Sequence, residues 1–139
     1  MHALLDREIS MQYVSKTTIN HNSINMSLLS EKTRELIDMI GFSDTYLLVS
    51  KLGGQDVYIP KFPDRSKLIE ILPRESVEIL SQMYGGTYLA LPTSRQIDIQ
   101  ERNKEIVKAL LNGDSRAKVA RRFGLSVRQV ANVRKEFPC

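Results

Sequence analysis

A chain of 139 residues with 42% hydrophobic content can bury one ordinary domain or two small ones. The net charge of +4 conceals an asymmetry, because residues 93–139 hold eleven Lys and Arg against five Asp and Glu, while residues 1–92 hold nine against eleven. The single cysteine, Cys139, excludes an intrachain disulfide and a thiolate metal cluster, and no apolar run approaches the about 18 residues of a membrane span.

These counts point to a reducing, cytoplasmic setting without membrane association, and the basic C-terminal third points to nucleic acid as the partner. A membrane surface would ask for a basic amphipathic helix with bulky aromatics on its apolar side, and none is present. His2 and His21 stand in polar surroundings at unrelated spacing, so neither a metal nor any other cofactor is expected.

In chain order, residues 1–30 read as a variable, loosely ordered lead-in with a short helix within 3–14; Ser, Thr and Asn dominate from residue 12 and the apolar residues are not periodic. From Glu35 the sequence repeats itself. Residues 35–61 align without gaps on residues 67–93, an offset of 32, with Leu36 on Leu68, Leu48 on Leu80, Gly53-Gly54 on Gly85-Gly86 and Pro60 on Pro92. Each copy predicts a short helix (Glu35 to Ile40, Lys67 to Leu72) stopped by Gly41 or Pro73, then a second helix, then a Gly-Gly pair. A strand follows, Asp56 to Ile59 or Tyr88 to Leu91, closed by a proline. Four residues cannot make a sheet alone, so each strand needs a partner: the other copy, or the same segment of a second chain. The pairs Gly53-Gly54 and Gly85-Gly86 serve either as plain helix stops or as hinges.

After a linker at Thr93 to Ile97, a helix is predicted from about Asp98 to Asn112, ended by Gly113, with Asp114 or Ser115 capping the next. Beyond it, Ala120, Gly124 and Val130 have the spacing of two short helices crossing over one tight turn. Val119, Phe123, Leu125 and Val133 fall inward. Ser126 and Gln129 form a capping box that starts the second helix. If that helix enters a DNA major groove, Arg128 suits guanine, Gln129 and Asn132 suit adenine, and Ser126 and Val127 lie on the same leading turn. Arg116, Arg121, Arg122 and Lys135 would neutralise phosphates. A basic hairpin that packs on protein is the alternative.

With these residues in view, the chain resembles the Mor transcription activator family, regulators of phage Mu type. The resemblance rests on Gly53-Gly54-Gln55-Asp56-Val57-Tyr58-Ile59-Pro60-Lys61, the helix Arg102 to Leu111, Asn112-Gly113 and the Ala120, Gly124, Val130 frame, and it covers roughly residues 35 to 137. It implies a homodimer with intertwined N-terminal helices and strands, a DNA-binding head on each side of a dyad-symmetric promoter element, and recruitment of RNA polymerase. It also implies strand contacts to the minor groove, for which Tyr58, Lys61 and Arg95 are the candidates. By distance to the head, Gly85 to Pro92 occupies the place of the family's strand, yet it carries Ala90 where the first copy has Tyr58 and Thr93 where it has Lys61.

The expectation is therefore a mainly α protein. Residues 31–94 form a repeat-containing dimerisation domain and residues 95–139 a three-helix helix-turn-helix domain. Its function is activation of transcription from double-stranded DNA at the nucleoid of a bacterial host. A repressor or architectural binder, a recombinase-related enzyme and a protein-interaction adaptor are the competing readings, of which the enzyme lacks a recognisable Arg cluster for a scissile phosphate.

Overall fold

Helix α1 (Glu31–Ile40) begins where Ser30 adopts an extended backbone and its hydroxyl accepts the N–H of Thr33 at 3.1 Å. This start lies four residues ahead of the expected one, since Ser30 rather than the residue pattern around Glu35 supplies the cap. The computed structural model describes residues 24–136; the expected helix within 3–14, together with His2, His21 and Cys139, lies outside them. The last residues of the expected loose lead-in are anchored: Ile24 and Leu29 are buried and Asn25 caps a one-turn helix, Met26–Leu28.

Gly41, at φ +90°, ends α1 and directly precedes α2 (Phe42–Leu52). Helix α2 is apolar on two sides, burying Leu48 and Val49 as well as Phe42 and Tyr46. Strand β1 (Asp56–Ile59) follows, then two single 3-10 turns, Pro63–Arg65 and Lys67–Glu70. The second of these replaces the α-helix expected over Lys67 to Leu72. The Ser66 hydroxyl accepts the N–H of Leu68 at 3.1 Å and Pro73 disfavours helical geometry at Leu72, which leaves room for little more than one turn. Helix α3 (Arg74–Tyr84) and strand β2 (Thr87–Ala90) complete the N-terminal unit, β2 starting one residue before its expected position.

The two strands pair with each other, antiparallel, with Asp56 opposite Ala90, Val57 opposite Leu89, Tyr58 opposite Tyr88 and Ile59 opposite Thr87. Alternation sends Val57, Ile59 and Leu89 inward and leaves Tyr58 and Tyr88 outside. The inner face joins Leu36, Leu48, Leu68, Leu72, Val77, Leu80 and Leu91 in one buried cluster. Lys32 links α1 to α3, with its ammonium 3.1 Å from Glu35 and 5.1 Å from the centre of the Tyr84 ring.

The Gly-Gly pairs are held by close packing. A Cβ on Gly53 would lie 2.7 Å from the Pro92 carbonyl oxygen, and one on Gly85 would lie 2.9 Å from the Lys61 Cα. Each first glycine is a helix stop against which the opposite strand's end packs. Each second glycine has positive φ, +82° at Gly54 and +86° at Gly86, and donates its N–H across the ribbon. These contacts favour the helix-stop reading over a free hinge.

The chain divides into two compact units, one reaching to Gln96 and one starting at Ile97. Most of α4 (Arg95–Leu111) lies in the second unit, and its start corrects the expected linker: Arg95, Gln96 and Ile97 are helical. Helices α5 (Arg116–Phe123) and α6 (Val127–Glu136) follow. Ile106, Val107 and Ala109 of α4 meet Val119 and Ala120 of α5 and Val130 and Val133 of α6 in a second core, with Leu110, Phe123 and Leu125 packed at its margin. The described residues are thus mainly helical, with six α-helices and one two-stranded ribbon.

Candidate nucleic-acid interface

The joint between α5 and α6 is built from local hydrogen bonds that its sequence dictates. Ser115, not Asp114, caps α5, its hydroxyl accepting the Lys118 N–H at 3.1 Å. At the other end Gly124 adopts φ +69°, ψ +35°. The Leu125 N–H then reaches the Ala120 carbonyl at 2.9 Å and the Gly124 N–H reaches Arg121 at 3.4 Å, the paired bonds of a Schellman closure. Ser126 starts α6 through a reciprocal pair: its N–H donates to Gln129 Oε1 at 2.8 Å, and the Gln129 N–H donates to Ser126 Oγ at 3.0 Å.

With Val130 and Val133 turned into the core, the opposite side of α6 is determined by helical geometry. Arg128, Asn132 and Lys135 stand at i, i+4 and i+7 on that side, and all three are exposed. Val127, 48% exposed, sits beside them on the first turn. Arg116 and Arg121 are exposed on α5. None of Arg116, Arg121, Arg128 and Lys135 forms an ion pair with another described residue. The result is a row of uncommitted donors on a rigid two-helix frame.

Two of the expected contacts are already engaged. Gln129 uses its side-chain oxygen in the cap, so a bidentate pair with adenine, which needs that oxygen together with the amide N–H, would require opening the capping box. Arg122 is held by Asp114, with Nη2 3.0 Å from Oδ2, and Lys118 approaches the same carboxylate at 3.5 Å. The Arg122 hydrogen bond holds the Asp114 carboxyl below the usual carboxylate range; desolvation opposes this and Lys118 reinforces it. Sequence reasoning missed this clamp. The signal was the i, i+4 spacing of Asp114 and Lys118 at a helix start, where an acidic residue also meets the positive end of the helix dipole.

The remaining candidates belong to the N-terminal unit. Tyr58 is 47% exposed and packs edge-to-face on Tyr88, itself 70% exposed, with ring centres 5.2 Å apart. Tyr88 was missed as well, although the 32-residue offset and an antiparallel register together place it there. Lys61 is exposed, its aliphatic stem running past Gly86, and Arg95 is exposed on the first turn of α4.

A family model for the Mor transcription activator family matches residues 64–137, more than half of the chain. The matched segment takes in α3, Gly85-Gly86, β2 and α4 to α6, and with them every part of the resemblance except the string Gly53 to Lys61 of the first copy. Neither curated proteins nor solved structures gave a match. On the strength of a match that runs through the second Gly-Gly strand and the whole basic helical head, the chain belongs to the Mor transcription activator family.

Proposed function

We propose that the chain is a sequence-specific DNA-binding activator of phage or prophage type, in which α5 and α6 act as a helix-turn-helix with α4 as its third helix and α6 enters the major groove. The observation that carries this is the stripe of Arg128, Asn132 and Lys135, exposed along the side of α6 that faces away from Val130 and Val133. Arg128 offers two parallel donors to guanine O6 and N7, Asn132 offers a donor and an acceptor to adenine, and Val127 offers an apolar contact to a thymine methyl. Arg116, Arg121 and Lys135 neutralise phosphates; Arg122 joins them once released from Asp114. Ser126 and Gln129 fix the leading turn of α6 more than they read bases.

Family membership makes the protein a transcription activator by class, so no catalytic role is proposed. Recruitment of RNA polymerase is the activating step in this reading, at the nucleoid of a bacterial cell, where DNA and polymerase meet. Tyr58, Lys61 and Arg95 supply a second contact to the backbone or minor groove. The dyad-symmetric, two-chain mode implied by the resemblance needs a surface that joins chains. The strands, one candidate for that surface, are paired within one chain.

A duplex selected by the protein from a random pool provides the test. Binding to it should weaken steeply with salt, log Kd changing by about 0.9 per phosphate neutralised for each tenfold change in salt. Arg128→Ala and Asn132→Ala should each relax preference at one base position. Affinity that is indifferent to salt and to both substitutions would remove α6 from the groove.

A further inference from the structure

Swapping the two halves of the N-terminal unit, by adding 32 to every residue of the first and subtracting 32 from every residue of the second, maps the contacts of the ribbon and its ends onto one another, while the Lys32–Tyr84 contact has no such image. The strand register obeys this: Asp56 opposite Ala90 becomes Tyr58 opposite Tyr88, and Val57 opposite Leu89 maps onto itself. The hydrogen bonds at the ribbon's ends obey it also. Gly54 N–H donates to the Leu91 carbonyl at 2.8 Å, and Gly86 N–H donates to the Ile59 carbonyl at 2.6 Å. Gly53 packs against Thr93 as Gly85 packs against Lys61. Between α2 and α3, Ser76 donates to Asp44, residues again 32 apart and so their own images. In the shared core, Leu36 answers Leu68, Leu48 answers Leu80 and Ile59 answers Leu91.

We infer that residues 31–93 are a closed pseudo-dimer made by one chain, with an approximate two-fold axis through the Val57–Leu89 pair and the Asp44–Ser76 contact, so that the molecule is a monomer carrying a single reading head. An isologous interface between two chains makes each contact twice, once in each direction. Here both directions are found once each, between the halves of one polypeptide, so the strand edges that would pair across two chains are paired within one. The tether from Pro60 to Ser66 is short, and a short tether presents its strand at an effective concentration of about millimolar. At micromolar protein, pairing within the chain is then favoured about a thousandfold over exchange between chains. The consequence for DNA, which rests on the activator reading, is that each chain recognises one asymmetric site lacking an inverted repeat.

Sedimentation equilibrium of the full chain at micromolar concentration should give 15.9 kDa; twice that mass overturns the monomer. Tyr58→Cys with Tyr88→Cys, in a Cys139→Ser background, should oxidise to a cross-link within one chain, whereas a covalent dimer on a non-reducing gel would show the strands pairing between chains. Selection from random duplexes should enrich one run without inverted symmetry, bound by one chain per duplex in native mass spectrometry. An inverted repeat carrying two chains overturns the single-site consequence. No enrichment at all, with monomeric mass and an intrachain cross-link, would uphold the closed unit and reject the DNA reading.

Discussion

Gly53 and Gly85 of the N-terminal unit stand where another stretch of backbone comes within a Cβ's reach, whereas Gly124 of the C-terminal unit has open space around it and is required only by its positive φ. The charges divide in the same way. Residues 97–139 hold ten Lys and Arg against five Asp and Glu, while residues 1–96 hold ten against eleven. One unit is defined by what its halves do to each other and the other by what its surface offers to a third party. The two should therefore respond differently to substitution: in the first unit, changes alter stability, and in the second, changes outside its small core alter binding.

The largest effect is expected from Leu80→Ala, which empties a fully buried position in the shared N-terminal core. Urea unfolding should show a loss of about 2–5 kcal/mol. Gly85→Ala should follow at about 1–3 kcal/mol, because backbone rather than a flexible side chain blocks the new Cβ. The matching test in the head is Gly124→Asn. It should be far milder, since Asn tolerates left-handed geometry and meets no neighbour there. Equal losses at the two glycines would erase the contrast between packing and φ.

Arg128→Ala should leave unfolding within about 0.5 kcal/mol of the parent and weaken the selected duplex by about 1–3 kcal/mol, concentrated at one base pair. A stability loss at Arg128 comparable to that at Leu80 would mean that the stripe is structural. Smaller again is Thr45→Val. The Thr45 hydroxyl is fully buried and finds no hydrogen-bond partner among the described residues, and its image in the second half is Val77. A gain of about 1 kcal/mol is expected in thermal or urea unfolding, and a loss would show that the hydroxyl is in use.

The smallest effect concerns Asp114. Its folded-state pKa is depressed, so its contribution to the head is complete above the usual carboxylate range and fades as pH falls through the folded value. Acid titration should therefore reveal it only below about pH 4, and weakly, because the group is exposed to salt. Asp114→Asn should abolish that dependence. It should also release Arg122 and Lys118, steepening the salt dependence of DNA binding, which is read from a binding isotherm series in rising salt.

Much of the head was legible in the sequence because its determinants are local. The Ser126–Gln129 box, the Ser115 cap and the Gly124 turn each join residues no more than five apart, so residue types and spacing suffice to foresee them. Strand β1 was likewise foreseen to the residue, bounded by Gly54 on one side and Pro60 on the other. Less visible were the 3-10 geometry after Ser66 and the early start of α4. A single proline or cap overrides periodicity there, and helix ends are the least constrained part of any pattern. The commitment of Arg122 to Asp114 escaped as well, because a cation reads the same in sequence whether its partner is a phosphate or a neighbouring side chain.

By itself the sequence determined the helical punctuation, the concentration of positive charge in the C-terminal third and the identity of the side chains on the outer stripe of α6, all consequences of interactions within a few residues. Only the tertiary structure decided which strand completes which. That choice joins residues 28 to 34 apart, and a four-residue strand has the same appetite for a partner whichever chain supplies it.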